Sequence, residues 1–177
     1  MKRSFIQAMQ VRTARCAIGA STLRRQGAPG AVAAARAFLA KLPLRSFGVS
    51  RPELFISRLD RATIRLQRAL PKGARGWGTA RKALNIFLRD AAYNGFLRSQ
   101  FALHYSEALL EIPLDSITAH ELKAAAKPQN LPRWPGVSRL TAQASAAYQE
   151  AAQRVARSEG IPRVHLDVYW WGDRDNK

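Results

Sequence analysis

A Gly-rich break at Pro71–Gly78 separates two regular stretches of the chain, and this arrangement limits the fold more than any other feature. Upstream, Leu54, Phe55, Leu59, Ala62, Leu66 and Leu70 recur at helical spacing; downstream, Ala80, Leu84, Phe87, Leu88 and Ala91 do the same, with Gly95 at the end of the stripe. Apolar side chains three and four apart share one face of a helix, whereas a half-buried strand needs alternation. Two amphipathic helices joined by so short a turn can only be close antiparallel neighbours. The spacing therefore predicts an all-α, compact helical domain with a helix-hairpin-helix over residues 60–98. Gly73 and Gly78 have the spacing of a phosphate-binding P-loop, but Thr79-Ala80 stands where Lys-Ser/Thr is required, which excludes that class of nucleotide site.

The remaining segments fit the same pattern. Pro29-Gly30 opens an Ala-rich helix over about 31–42, and Ser50-Arg51-Pro52-Glu53 is an N-terminal signal with proline in the first turn. The downstream helix is expected over about 79–100, with Lys82, Arg89 and Arg98 off its buried stripe. Residues 101–111 continue it or form a short helix, and Ile112-Pro113-Leu114 is extended. Asp115 is a natural N-cap for a helix reaching about residue 127. A proline-rich loop around Trp134 leads to a long helix over about 138–159, closed by Gly160. The tail alternates Val164, Leu166, Val168 and Trp170, the period of a strand, yet in so helical a chain a short terminal helix is expected.

Charge narrows the partners. The chain of 177 residues has a net charge of +17, and all of it lies in residues 1–100, where 20 Lys/Arg face only Glu53, Asp60 and Asp90. Residues 101–177 balance 9 basic groups against 9 acidic ones. The chain thus reads as one domain, 1–177, with a basic half and a neutral half forming two small lobes around a basic cleft. Arginine outnumbers lysine 22 to 7, and its planar fork suits phosphate oxygens. Arg58, Arg61, Arg65 and Arg68 form a stripe on the helix before the break; Arg75 and Arg81 flank the break itself. A polyanion, duplex DNA, is the expected partner, with Arg65, Arg68, Arg75 and Arg81 on phosphates. The backbone N–H groups of Gly76 and Gly78 would contact phosphate unobstructed by side chains. A solvated basic face is the plainer account of the same residues.

Other classes recede. No apolar run reaches the roughly 20 residues needed to span a bilayer. Cys16 is the only cysteine and the three histidines are scattered, so no metal site and no cofactor are expected. A reducing cytoplasm and a monomer are the expected setting. The acid-free opening, residues 1–28, also has the composition of an organellar targeting segment.

Two residues point to chemistry. Lys82 lies in Lys82-Ala83-Leu84-Asn85-Ile86-Phe87-Leu88, just after the hairpin, and Asp115 follows Ile112-Pro113-Leu114, 33 residues later. Taken singly, the first is an ordinary helix lysine and the second an ordinary cap. Together with the hairpin they resemble the helix-hairpin-helix DNA glycosylases, most of all the archaeal 8-oxoguanine glycosylase branch, over about residues 60–125. The resemblance implies removal of a damaged or modified base flipped out of duplex DNA, with Asp115 as the catalytic carboxylate and Lys82 as a nucleophile for an accompanying lyase step. In commoner members the lysine falls two residues after the second hairpin glycine, where this chain has Ala80. Trp77, Tyr93 and Trp134 are the candidates to stack on the displaced base. Arg98 and His104, six residues apart, match loosely a helical ribonuclease of the HEPN type; a DNA-binding module without catalysis is the third reading.

Overall fold

The computed structural model describes residues 4–23, 28–125 and 131–172. Among the described residues eight α-helices follow one another: α1 (Phe5–Ala17), α2 (Ala31–Leu39), α3 (Pro52–Ala69), α4 (Trp77–Tyr93), α5 (Gly95–Gln100), α6 (Ser116–Ala125), α7 (Ala142–Ser158) and α8 (Leu166–Gly172). Short 3₁₀ turns at Leu44–Phe47, Lys72–Ala74, Leu103–Leu109, Val137–Arg139 and Arg163–His165 join them. No strand occurs among the described residues, as the helical spacing predicts. No described helix is long and apolar enough to cross a membrane.

Helix α4 is the axis of the molecule. It packs against α1, α2, α3 and α5 on one side and against α7 and the 137–139 turn on the other. Leu84, Phe87 and Leu88 are at most 2% exposed, and each such burial stabilises by about 1.5–3 kcal/mol. Packed on two sides, α4 also buries polar groups outside its apolar stripe. Lys82, off the apolar stripe, is only 8% exposed, and Arg81 only 5%. The sequence stripe found the buried apolar face but not the second layer that covers the other face.

Buried apolar residues form two clusters. The first joins α1 to α5 with Leu44, Phe47 and Leu103; the second joins Ile112, Leu114, α6, Leu140 and α7 to Leu166. The acid-free opening contributes α1 to the first cluster through Ala14 and Ala17. Between the clusters the extended Ile112-Pro113-Leu114 segment is held by Gln149 of α7. Its side-chain amide accepts from the Ile112 N–H at 3.1 Å and donates to the Ile112 carbonyl at 2.8 Å. That pairing satisfies a buried backbone segment that no strand neighbour could serve.

Several boundaries differ from the expected ones. The helix after the break stops at Tyr93 because Asn94 leaves helical geometry and caps α5, its side chain accepting from the Leu97 N–H at 3.1 Å. Gly95 is consequently exposed, and Leu97 takes its place in the core. Ala102 adopts φ 54, which ends α5 and starts the 103–109 turn. The long helix begins at Ala142, not 138, because Val137–Arg139 is a separate 3₁₀ turn and Thr141 is the cap. It ends as expected at Gly160, whose φ of +67 allows Ile161 N–H to reach Ala156 O at 3.0 Å. The alternating tail is a 3₁₀ turn followed by α8; its period of two matched a strand, but among the described residues no strand edge is there to receive one. The expected end of the Asp115 helix near 127 falls outside the described residues.

Candidate active site

Lys82 and Asp115 meet. The Lys82 Nζ lies 3.3 Å from Asp115 Oδ2, with the two side chains 9% and 17% exposed. The local structure fixes the carboxylate. Asp115 Oδ1 accepts from the backbone N–H groups of Ile117 and Thr118, both at 3.0 Å, so it caps α6 and leaves Oδ2 for the lysine. One oxygen is thus tied to the backbone while the other faces a cleft of about 1150 Å³, which both residues line.

The cleft has two sides. Lys82, Ile86, Arg89 and Tyr93 come from one face of α4, spaced three and four apart; the opposite side includes Pro113, Trp134 and Asp167. Its charges are mixed: Lys82 and Arg89 stand against Asp90, Asp115 and Asp167. A basic cleft was expected; the cations of residues 1–100 are mostly elsewhere. Asp167, in the first turn of α8, has a side chain only 4% exposed and is ion-paired to Arg89. Burial pushes its carboxyl up to about 6; Arg89 works against that shift, and the Asp115 carboxylate adds to it. Asp90 accepts from Arg89 Nε at 3.0 Å and is also raised, again chiefly by burial. Sequence reasoning missed Asp167, although a single carboxylate inside the apolar run Val164–Trp170 was a visible anomaly.

No protein-family model, curated protein or solved structure matches the chain. The site must be read from its own residues.

Of the stacking candidates, Tyr93 and Trp134 line the cleft and Trp77 does not. Trp77 covers the Arg81 guanidinium at 5.2 Å and packs against the second apolar cluster. Of the four phosphate candidates, Arg81 is withdrawn. Its Nε and Nη2 donate to the two oxygens of Glu111 at 2.8 Å each, and Nη1 donates to Asp60 at 2.7 Å and Thr63 at 3.0 Å. All three nitrogens of the fork have partners inside the protein, and the side chain is only 6% exposed. Burial works to raise the Glu111 carboxyl, but Arg81 and Asn85 hold it below the ordinary glutamate value. The pair joins α4 to the segment before Asp115 and so holds the two catalytic candidates in register. Arg65, Arg68 and Arg75 are exposed, and none of them lines the cleft.

The glycines serve packing. A Cβ on Gly78 would fall 2.2 Å from Val137 O, and one on Gly76 2.8 Å from Ser138 O. The 137–139 turn therefore sits directly on the start of α4. The glycine face expected to be open to phosphate is covered by the chain itself. Of the other readings, Arg98 and His104 are separated by the break at Ala102, and Arg98 pairs with Glu107 at 2.7 Å. The single continuous helix that the ribonuclease spacing requires is absent there.

Proposed function

We propose that the cleft releases a base from DNA by breaking an N-glycosidic bond. The observation that carries this reading is the Lys82–Asp115 pair, 3.3 Å apart on one cleft although 33 residues apart in sequence. Such a reaction needs little of the protein beyond charge and position. As the bond between C1′ and the base nitrogen breaks, its electron pair leaves with the base and positive charge grows on the sugar. Asp115 Oδ2, the oxygen not tied to the backbone, stabilises that charge and takes the proton from an attacking water. A carboxylate held by two backbone N–H groups needs no reorganisation to do so. The departing nitrogen must gain a proton, and Asp167, raised to about 6, is the buried acid in the same cleft.

Lys82 adds a second route. If it replaces water as the nucleophile, it must first lose a proton, and Asp115 Oδ2 is the acceptor within reach. Lysine displaces the base at C1′; the C1′–O4′ bond then breaks, its electron pair and a proton going to O4′, and the ring-opened imine between lysine and C1′ sets up strand cleavage. Duplex DNA is the proposed substrate, since charge alone favours it: the exposed arginines of α3 supply cations that the cleft lacks. In this reading α3, the 70–76 connection and α4 act as the helix-hairpin-helix, and one copy of the chain in the cytoplasm suffices.

The test is incubation with a panel of duplexes, each carrying one damaged or modified base, with and without alkaline workup. Wild type should release one of these bases, and Asp115→Asn should lose release by at least about 100-fold while remaining folded by circular dichroism. Asparagine keeps the cap, so α6 should persist. Lys82→Gln should lose the borohydride-trapped adduct if lysine is the nucleophile. Full activity in Asp115→Asn would end the mechanism and leave a DNA-binding module as the better account.

A further inference from the structure

A chain of polar contacts stands behind Tyr93 at the rim of the cleft. Tyr93 is the last residue of α4, and its ring lines the cleft while remaining 42% exposed. His165 stacks on it, ring centroids 5.5 Å apart and planes 16° from parallel. The Tyr93 hydroxyl lies 2.7 Å from His165 Nδ1, and His165 Nε2 lies 3.3 Å from Glu107 Oε1. The other Glu107 oxygen accepts from Arg98 at 2.7 Å.

Donor and acceptor roles follow from chemistry. A carboxylate can only accept, so His165 Nε2 carries a proton, and in the neutral ring Nδ1 must then accept. The phenol donates to it. Burial is the main cause that pushes the Tyr93 phenol up to about 12, so at neutral pH it keeps the proton it donates. The platform beneath is also tied down. Arg163, two residues before His165, donates to the Leu109 and Leu110 carbonyls, each at 3.0 Å, which pins the 163–165 turn to the 103–109 turn. Trp134, the other aromatic on the cleft, is backed in the same way: it meets Tyr148 edge-on at 5.3 Å, and Tyr148 is anchored to Pro132 O at 2.8 Å.

We propose that Glu107 and His165 form a brace whose role is to hold the Tyr93 ring as a stacking wall for a planar base in the cleft. This rests on the reading of the cleft as a base site and assigns two positioning residues to it. The ring belongs to the cleft lining, and His165 lies near-parallel beside it, bonded to its hydroxyl. An unbraced tyrosine at a helix end would lose rotamer freedom on every binding event, and a fixed one loses it only on folding. His165 and Glu107 act through Tyr93 and touch no substrate.

The experiment uses the full chain and a duplex carrying one 2-aminopurine opposite an abasic site, so that the fluorescent base leaves the stack readily. Stacking on tyrosine quenches its emission. Tyr93→Ala should raise the emission of the saturated complex and weaken binding roughly tenfold, the scale of one base–aromatic contact. His165→Ala should give an intermediate emission and about a threefold loss, with thermal unfolding near that of wild type. The double variant should match Tyr93→Ala, because a brace with nothing to hold has no effect of its own. The inference is overturned if Tyr93→Ala leaves emission and affinity unchanged. It is equally overturned if His165→Ala weakens the Tyr93→Ala protein by the factor seen in wild type. Base release is not read in this assay, which separates the two ideas. A protein that stacks 2-aminopurine yet releases no base from any duplex retains the brace and loses the glycosidase. One that releases base at an unchanged rate and KM in Tyr93→Ala loses only the brace.

Discussion

Replacing Asp167 with asparagine should make the protein gain stability relative to wild type as pH rises from acid to neutral. The carboxyl sits about two units above its ordinary value, at about 6 against 3.8, because burial penalises its charge more than Arg89 offsets. A group with a higher pKa in the folded state holds its proton more tightly there. Between the unfolded and folded values the native protein therefore binds more protons, and stability falls as pH rises. Two units at 1.36 kcal/mol each give a loss on the order of 3 kcal/mol, complete once pH passes the folded value. With a side chain only 4% exposed, little solvent screening reduces that figure. Asparagine does not titrate, so the variant escapes the loss. Its own new contacts shift the difference by a constant, which makes the pH dependence the diagnostic quantity. Urea unfolding of both proteins from pH 3.5 to 7.5 measures it, and the variant should gain on wild type by about 3 kcal/mol across the window, or roughly 6–12 °C in melting temperature. A flat difference would show that Asp167 titrates alike in both states. Wild type gaining on the variant with rising pH would show that Arg89 holds the carboxylate ionised, and would refute the acid role given to it in the cleft.

Three further outcomes follow from the geometry. Arg81→Ala should destabilise by about 3–5 kcal/mol in urea unfolding, since it leaves Glu111 buried without its partner, and a merely weakened DNA affinity in a fully stable variant would contradict the buried assignment. Gly78→Ala should lower the melting temperature markedly, because the new Cβ lies 2.2 Å from the Val137 carbonyl oxygen; a melting curve unchanged from wild type would mean that the 137–139 turn does not sit on α4. Binding to duplex DNA should weaken with salt, and Arg65→Ala and Arg68→Ala should each reduce the slope of log K against log salt by about 1; unchanged slopes would place the phosphates elsewhere on the chain.

The helical class was written in the sequence because local rules set it. Leu59, Leu66, Leu84 and Leu88 recur at helical spacing, and spacing alone decides which face of an amphipathic helix is buried. The cap at Asp115 and the stop at Gly160 were legible for the same reason: each depends on groups only a few residues away. The closeness of Lys82 to Asp115 was suggested by a resemblance of motifs, and no periodicity implied it.

What remained hidden depends on the second layer over α4. Sequence spacing assigns one buried face, and Lys82 and Arg89 lie off it. The 137–139 turn and α7 pack on that side and Asp167 of α8 pairs with Arg89 there, and no local signal announces their arrival. Arg81 therefore pairs with Glu111 where a phosphate contact was expected, and the glycines of the break receive a turn where they were expected to receive DNA. Asp167, 52 residues beyond Asp115, reaches the cleft only because α8 folds back against α6, and its burial there is what raises its pKa. Spacing determined the helices and their caps; the charge state and company of each cleft residue were decided by desolvation, which only packing of distant segments creates.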